Sequence, residues 1–477
     1  MARLILRGGR PLFGQVAASG SKNSAEAILC AAALADEECV IEGVPLEASV
    51  LAIIMLLRGL GALVYWDAGG RVHVNGSSIN SYRAPLYWAK KERGSFYAAG
   101  LLLAKLGKVR TPMPGGCNIG ARPVDFHLDG FRKLGARVVV ENKMVLAEAR
   151  KLTGARIYVG RSSVGATINL MLAASMAEGQ TVLENAAKEP EIVDTATFMN
   201  KMGACIEGAG TNVIRITGVP RLKGTYHQVI PDRIEAGTFL TVAAIAGGDV
   251  LVTNTKAAHL AQPVEKLREA GFQLEIDSDS IRIKGERRPL PCMICTARYP
   301  GFATDLQSPF TSLMALADGR SVIRETIFPD RWMWIDELRR MGAEVELIED
   351  TAVIKGVPKL HGAEVTATDL RAGAALVAAA LGAKGETIIN NAEVLNRGYE
   401  GLTSKLAALG AGIVRYEVDE PLADEMKWEL EKVVSPDMEI NMGMDMGLTA
   451  GVNMGANVDG MVSEEPGAAD AAADPEG

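Results

Sequence analysis

Aromatic residues make up only 5% of this 477-residue chain, which holds just five His and six Cys. A core short of Phe, Trp and Tyr has to be built from Ala, Leu, Val and Ile, and 51 Gly let its backbones approach closely. The His do not cluster in sequence, and Cys292 and Cys295 form a lone C-x-x-C without a second pair. A strand is the plainer reading of that pair than zinc, and no metal is expected. Six Cys in so long a chain make no dense disulfide framework and read as reduced, cytoplasmic thiols. No run reaches about 18 uninterrupted apolar residues, so no membrane span is expected. The opening Met1-Ala2-Arg3-Leu4-Ile5-Leu6-Arg7 has no long apolar signal core. There is neither a Walker motif nor a glycine fingerprint after a suitable strand, which counts against NTPases and dehydrogenases.

What is present is globular: 48% hydrophobic, 23% charged, and long enough for two domains. The net charge of −8 is unevenly spread. Residues 418–477 hold 15 acids and 2 bases, whereas residues 1–417 hold 43 acids and 48 bases. A mildly basic body suits a small anionic ligand better than nucleic acid, which needs stronger clustering. The tail carries seven of the 19 Met and ends in Ala, Asp, Glu, Pro and Gly. It reads as disordered, with a short helix over 424–434 as one element. An interaction tail for a protein partner and a Met-rich soft-metal site are the alternatives.

An internal repeat organises the rest. A helical run, an apolar residue, Gly and then a strand recur around Gly61, Gly135, Gly203, Gly271, Gly342 and Gly410, at spacings of 74, 68, 68, 71 and 68. Gly suits the left-handed position that ends a helix, and the following residues alternate as strands do. A small-residue helix precedes each unit's short first strand, as in Ala25–Ala35 before Cys39 and Ala372–Ala383 before Thr387. Units of about 70 residues are too small for comfortable independent stability, so three per domain is the natural grouping. The expected fold is α/β. The N-terminal strand is expected to complete the second domain, giving residues 22–229 as the first domain and 1–21 with 230–417 as the second.

The sharpest chemical segment is Pro114-Gly115-Gly116-Cys117-Asn118-Ile119-Gly120-Ala121-Arg122. Flanking Gly make a mobile loop around Cys117, and Arg122 is close enough to favour a thiolate or to bind an anion. The thiol reads as nucleophile or general acid, or as an incidental surface Cys. The other Cys look like small core hydrophobes. Lys22, Arg93, Arg233, Arg331, Arg371 and Arg397 recur at unit boundaries near helix starts, where backbone N–H groups already attract anions. Any one of them alone reads as a solvated charge, and only the recurrence suggests a shared cleft. Asp305 reads first as a helix N-cap and second as a general base. His127 reads as packing beneath the loop.

These residues carry a resemblance. Gly20-Ser21-Lys22-Asn23, the run Pro114–Asp125, Glu189–Thr195, Pro231–Glu235, Thr368–Arg371 and Arg397–Glu400 match motifs of one family. From about residue 2 to 417 the chain resembles the UDP-N-acetylglucosamine 1-carboxyvinyltransferases, a family of enolpyruvyl transferases. The resemblance implies a two-domain inside-out α/β barrel fold of six βαβαββ repeats, three per domain. It implies transfer of the enolpyruvyl group of phosphoenolpyruvate to the 3′-hydroxyl of UDP-N-acetylglucosamine, releasing phosphate, at the start of peptidoglycan precursor synthesis. No metal or organic cofactor is implied, nor nucleic acid or membrane, and a monomer is expected.

Carried over by motif, Cys117 would be the general acid and a site of covalent adducts. Lys22, Arg122 and Arg397 would hold phosphate and carboxylate, and Asp305 would take the hydroxyl proton. Asn23, Arg93, Arg122, Pro123, Val124, Asp125, Phe126, Arg161, Ser162, Ser163, Val164 and Ile327 would line the sugar-nucleotide site. Arg331, Asp369 and Arg371 would support the anion site. Ser21 and Arg161-Ser162-Ser163-Val164 depart from the family's usual residues. Fosfomycin, the family's thiol-directed inhibitor, would alkylate Cys117. Two readings compete: a silent UDP-sugar-binding regulator, and the shikimate-pathway enolpyruvyl transferase, against which the Cys loop argues.

Overall fold

The computed structural model describes residues 2–116, 119–120, 122–285 and 288–417. Cys117 and the tail 418–477, with the helix expected over 424–434, lie outside the described residues.

All six repeat glycines occupy the left-handed region, with φ between 90° and 106°. Each closes a helix in the same way. After the helix Ala48–Gly59, Gly61 N donates to Arg58 O at 2.9 Å and Ala62 N to Leu57 O at 3.0 Å. The same two bonds recur after Asp125–Lys133, Pro190–Lys201, Ala261–Glu269, Ile335–Arg340 and Leu402–Ala408. The paired bonds satisfy the last carbonyls and turn the chain into the next strand.

Among the described residues the strands form six sheets, five of four strands and one of three. In the third unit, for example, Gln180–Glu184 lies parallel to Arg156–Tyr158 and antiparallel to Val213–Thr217, on which Cys205–Glu207 pairs. The sheets enclose the small-residue helices. Lys22–Ala32, Tyr97–Leu106 and Val164–Ala174 belong to one hydrophobic core, which runs from Ala25 to Val229. Arg233–Ala246, Gln307–Met314 and Leu370–Gly382 belong to the other, from Ala2 to Val16 and Ala18 and from Ile234 to Ile413. Helices buried on every side need small contact residues. A Cβ on Gly100 would lie 2.3 Å from the Asn169 carbonyl, so only Gly lets these two helices pack. Asn169, fully buried, donates to Phe96 O at 2.8 Å and accepts from Gly100 N at 2.7 Å.

The strand Ala2–Arg7 lies between Glu386–Asn390 and Gly412–Glu417, antiparallel to both. The chain then crosses between the two cores twice, side by side. Ser21 N donates to Ile230 O at 2.7 Å and Asp232 N to Ser19 O at 2.8 Å. Gly20 is required there, since a Cβ would fall 1.7 Å from Gly43 O. One carboxylate serves both bodies at this crossing. Asp232 Oδ1 caps Arg233–Ala246 by accepting from Ile234 N and Glu235 N at 2.7 and 2.9 Å, and Oδ2 accepts from Lys22 N at 3.2 Å.

Among the described residues no helix is long and apolar enough to cross a membrane, and no group of three or more His, Cys, Asp or Glu is placed to hold a metal ion. Cys292 is buried and the strand Met293–Cys295 follows it. Cys205 is exposed on an edge strand, which corrects its reading as a core thiol, and Cys295 stands exposed on the strand expected for it, also at a sheet edge.

Candidate active site between the two bodies

Lys22 opens the first helix at the crossing and is buried, with Nζ 3.2 Å from Glu26 Oε1. Burial opposes its charge, but Glu26, Glu92 and Glu47 outweigh burial and hold its pKa above the ordinary lysine value. Asn23 follows it, half-buried. Gly398 leaves room for the Lys22 stem; a Cβ there would be 3.5 Å from its Cδ and Cε. At the same crossing Arg233 is committed to Glu191 of the first body, Nε to Oε1 at 3.0 Å.

In the second body, Asp305 does not cap a helix, contrary to the N-cap reading. It lies inside the turn Thr304–Leu306, and its oxygens are taken by guanidiniums. Oδ1 accepts from Arg331 Nη1 at 2.7 Å, and Oδ2 from Arg371 Nη2 at 3.2 Å. Burial alone would raise the Asp305 pKa, but the two arginines overcome it and hold the carboxyl well below the usual range. Arg371 also lies over the Tyr399 ring, 5.2 Å from its centroid. Asp369 is the N-cap of Leu370–Gly382 and accepts from Arg371 N at 2.8 Å, so it bears on this cluster by fixing that helix start.

Several contacts join the bodies near this cluster. Arg397 ends the turn Ala392–Arg397. Its Nε and Nη2 donate to both oxygens of Glu92 at 2.8 and 3.0 Å. Phe328 is shared by two cations, with Arg122 5.3 Å and Arg331 5.9 Å from its ring centroid. Gly120 approaches the Asp330 carboxylate so closely that a Cβ would be 2.6 Å from Oδ2. The segment leading to Cys117 is anchored nearby: a Cβ on Gly115 would meet Lys90 O at 1.7 Å, and one on Gly116 would meet Arg93 Cβ at 3.3 Å.

On the first body, Arg93 Nη2 donates to Pro123 O at 3.2 Å, and burial with the neighbouring Arg122 pushes the Arg93 pKa down to about 10. Val124 and Asp125 open Asp125–Lys133. Phe126 packs on Gly160, where a Cβ would overlap its ring. Arg161 and Ser162 take left-handed backbone at φ 52° and 42°, held by Ser162 Oγ donating to Asn185 O at 3.0 Å. Such strain in non-Gly residues persists only where the surroundings enforce it. Ser163 caps Val164–Ala174. Ile327 N donates to the buried Glu325, which also accepts from Thr296 and Thr304.

The expected cations therefore meet in two groups. Arg331 and Arg371 pair with Asp305, Lys22 and Arg397 pair with Glu26 and Glu92, and Arg122 shares the Phe328 ring with Arg331. Arg93, Pro123, Phe126 and Arg161–Val164 gather on the first body. Glu26, Glu47 and Glu92 were missed. Their signal was modest: Glu26 interrupts an Ala/Ile/Leu helix, and Glu92 abuts Arg93-Gly94. All three are buried.

This architecture is that of the enolpyruvyl transferases. Residues 6–406 match the family EPSP synthase (3-phosphoshikimate 1-carboxyvinyltransferase). The chain belongs to the enolpyruvyl transferase family, on its UDP-N-acetylglucosamine 1-carboxyvinyltransferase branch. It is 50% identical over 416 residues to UDP-N-acetylglucosamine 1-carboxyvinyltransferase 2 of Symbiobacterium thermophilum, covering 87% of this chain and 98% of that one. It is 47% identical over 427 residues to UDP-N-acetylglucosamine 1-carboxyvinyltransferase 2 of Bacillus cereus, covering 90% of this chain and 100% of that one. The crystal structure of the enolpyruvyl transferase NikO from Streptomyces tendae superimposes with a TM-score of 0.79 at 25% identity, covering 88% of this chain and 99% of that one. EPSP synthase from Acinetobacter baumannii, at 20% identity and a TM-score of 0.68, shares the fold.

Proposed function

We propose that this chain transfers the enolpyruvyl group of phosphoenolpyruvate to the 3′-hydroxyl of UDP-N-acetylglucosamine, the first committed step of peptidoglycan precursor synthesis. The observation that supports it most is that Arg331 and Arg371 hold Asp305 while Lys22 and Arg397 stand where the two bodies meet, beside Glu26 and Glu92. Phosphoenolpyruvate carries about three negative charges near neutral pH, and a set of guanidiniums and an ammonium matches them.

The hydroxyl oxygen adds to C2 of phosphoenolpyruvate while Cys117 delivers a proton to C3, giving a tetrahedral ketal. The C2–O bond to phosphate then breaks, a proton leaves C3, and the vinyl ether and phosphate are released. Asp305 accepts the hydroxyl proton. Lys22, Arg122 and Arg397 hold phosphate and carboxylate, with Arg331 and Arg371 behind them and Asp369 fixing Arg371. Asn23, Arg93, the run Arg122 to Phe126, Arg161 to Val164 and Ile327 line the sugar-nucleotide side. A fixed field of cations at a closed cleft stabilises charge without reorganisation. The chemistry uses no cofactor.

The two bodies act as enolpyruvyl-transferase domains, 22–229 carrying the Cys loop and 1–21 with 230–417 opposite it. The chain works as a cytoplasmic monomer that fosfomycin inactivates, and the tail 418–477 is available to a protein partner.

Phosphate release with both substrates tests the activity. Cys117→Ala should lose turnover by several powers of ten and keep its thermal transition, since general acid chemistry is removed from a loop. Cys117→Asp should turn over and resist fosfomycin. Full activity of Cys117→Ala would reject the assignment.

A further inference from the structure

The cation that the proposed function gives to phosphoenolpyruvate is already held by a carboxylate of the other body. Glu92 and Arg397 are 305 residues apart, yet both carboxylate oxygens meet the guanidinium at 2.8 and 3.0 Å. A two-bond pair of this kind is among the stronger contacts a protein makes. Its side chains are 9% and 23% exposed, so water screens it little. Lys22 has the same kind of partner. Glu26 lies 3.2 Å from its ammonium, with side-chain exposures of 11% and 6%.

The two carboxylates share one pocket. Glu26 Oε2 rests against Gly94, where a Cβ would fall 2.1 Å away, and Gly94 is two residues beyond Glu92. Burial raises the Glu26 pKa most, Lys22 lowers it, and Glu92 raises it. Buried ion pairs are costly to desolvate, and a well-packed apolar pair in place of either would often be as stable or more so. The presence of these carboxylates beside the substrate cations therefore calls for a role at the site.

We propose that Glu92, together with Glu26, is a resident counter-anion that sets the affinity of the anion site: a substrate phosphate or carboxylate gains Arg397 and Lys22 only in competition with these two negative charges. The inference rests on the function proposed above. The same competition weakens the hold on inorganic phosphate, the leaving product, and so favours its release.

Glu92→Gln tests it, because the amide keeps the volume and one acceptor for Arg397 while removing the charge. Two readouts are taken on the full chain. In steady-state turnover the KM for phosphoenolpyruvate should fall by about tenfold, and the KM for UDP-N-acetylglucosamine should stay within about twofold. In calorimetric titration, inorganic phosphate should bind the variant about tenfold more tightly than the parent chain. Glu26→Gln should move both readouts the same way. A purely structural fastener would leave phosphate affinity unmoved or weaken it. Unchanged or weaker affinity in a folded Glu92→Gln protein would overturn the proposal, as would failure of both variants to fold or phosphate binding to neither chain. If the parent chain lacks turnover, the assigned reaction fails, and the phosphate titration still decides whether the carboxylates govern the anion site.

Discussion

Asp305 Oδ1 sits 2.7 Å from Arg331 Nη1, and this pair makes the expected general base a carboxylate that holds its charge tightly. With Arg371 on the other oxygen at 3.2 Å, its proton affinity lies well below that of an ordinary Asp.

For Asp305→Asn we expect kcat to fall by about 10²–10⁴ with the fold retained. In the parent chain, kcat/KM should show no inflection from Asp305 between pH 5 and 8, because the free protein keeps it ionised throughout that range. Its stabilising contribution is complete above the unfolded Asp value of about 3.9 and is lost as pH falls below it. A pH–rate profile of both proteins checks this.

His127 gives a second pH dependence, of stability. Burial first, and Arg93 second, push its pKa down to about 3. The neutral ring lies edge-on to Phe96, with Nδ1 3.0 Å from the Asn169 amide nitrogen. In the unfolded chain His titrates near 6.5, so the unfolded state takes up a proton first as pH falls. Stability from this group is full above about pH 6.5 and declines toward pH 3, by up to about 1.4 kcal/mol per pH unit. Urea unfolding at pH 7.5 and pH 5 should show the loss, and His127→Gln should flatten the difference.

Gly100→Ala should destabilise the first body by about 2–3 kcal/mol or more. The added methyl would meet the Asn169 carbonyl at 2.3 Å and its side-chain oxygen at 2.4 Å, and neither helix can move without disturbing the other's core. Chemical denaturation reads the change as a lower midpoint at an unchanged slope.

Much of the architecture was legible along the chain. The six Gly-centred helix ends, the first strands of the units and the buried Ala-rich helices all follow from local signals, and Lys22, Arg331, Arg371 and Arg397 stood out by recurring at unit boundaries. Reading Asp305 as a cap failed because a residue at a turn can spend its carboxylate on backbone or on distant cations, and spacing does not distinguish them. Glu26, Glu47 and Glu92 escaped notice because a buried acid differs from a surface acid only in what surrounds it.

The amino-acid sequence alone therefore determined the repeat, since a left-handed helix end demands Gly locally and its recurrence counts the units. It also determined which cations are available. Tertiary structure alone decided which carboxylates those cations face: Glu92 meets Arg397 across 305 residues because two separately cored bodies come together there, and no periodicity along the chain encodes a contact between them.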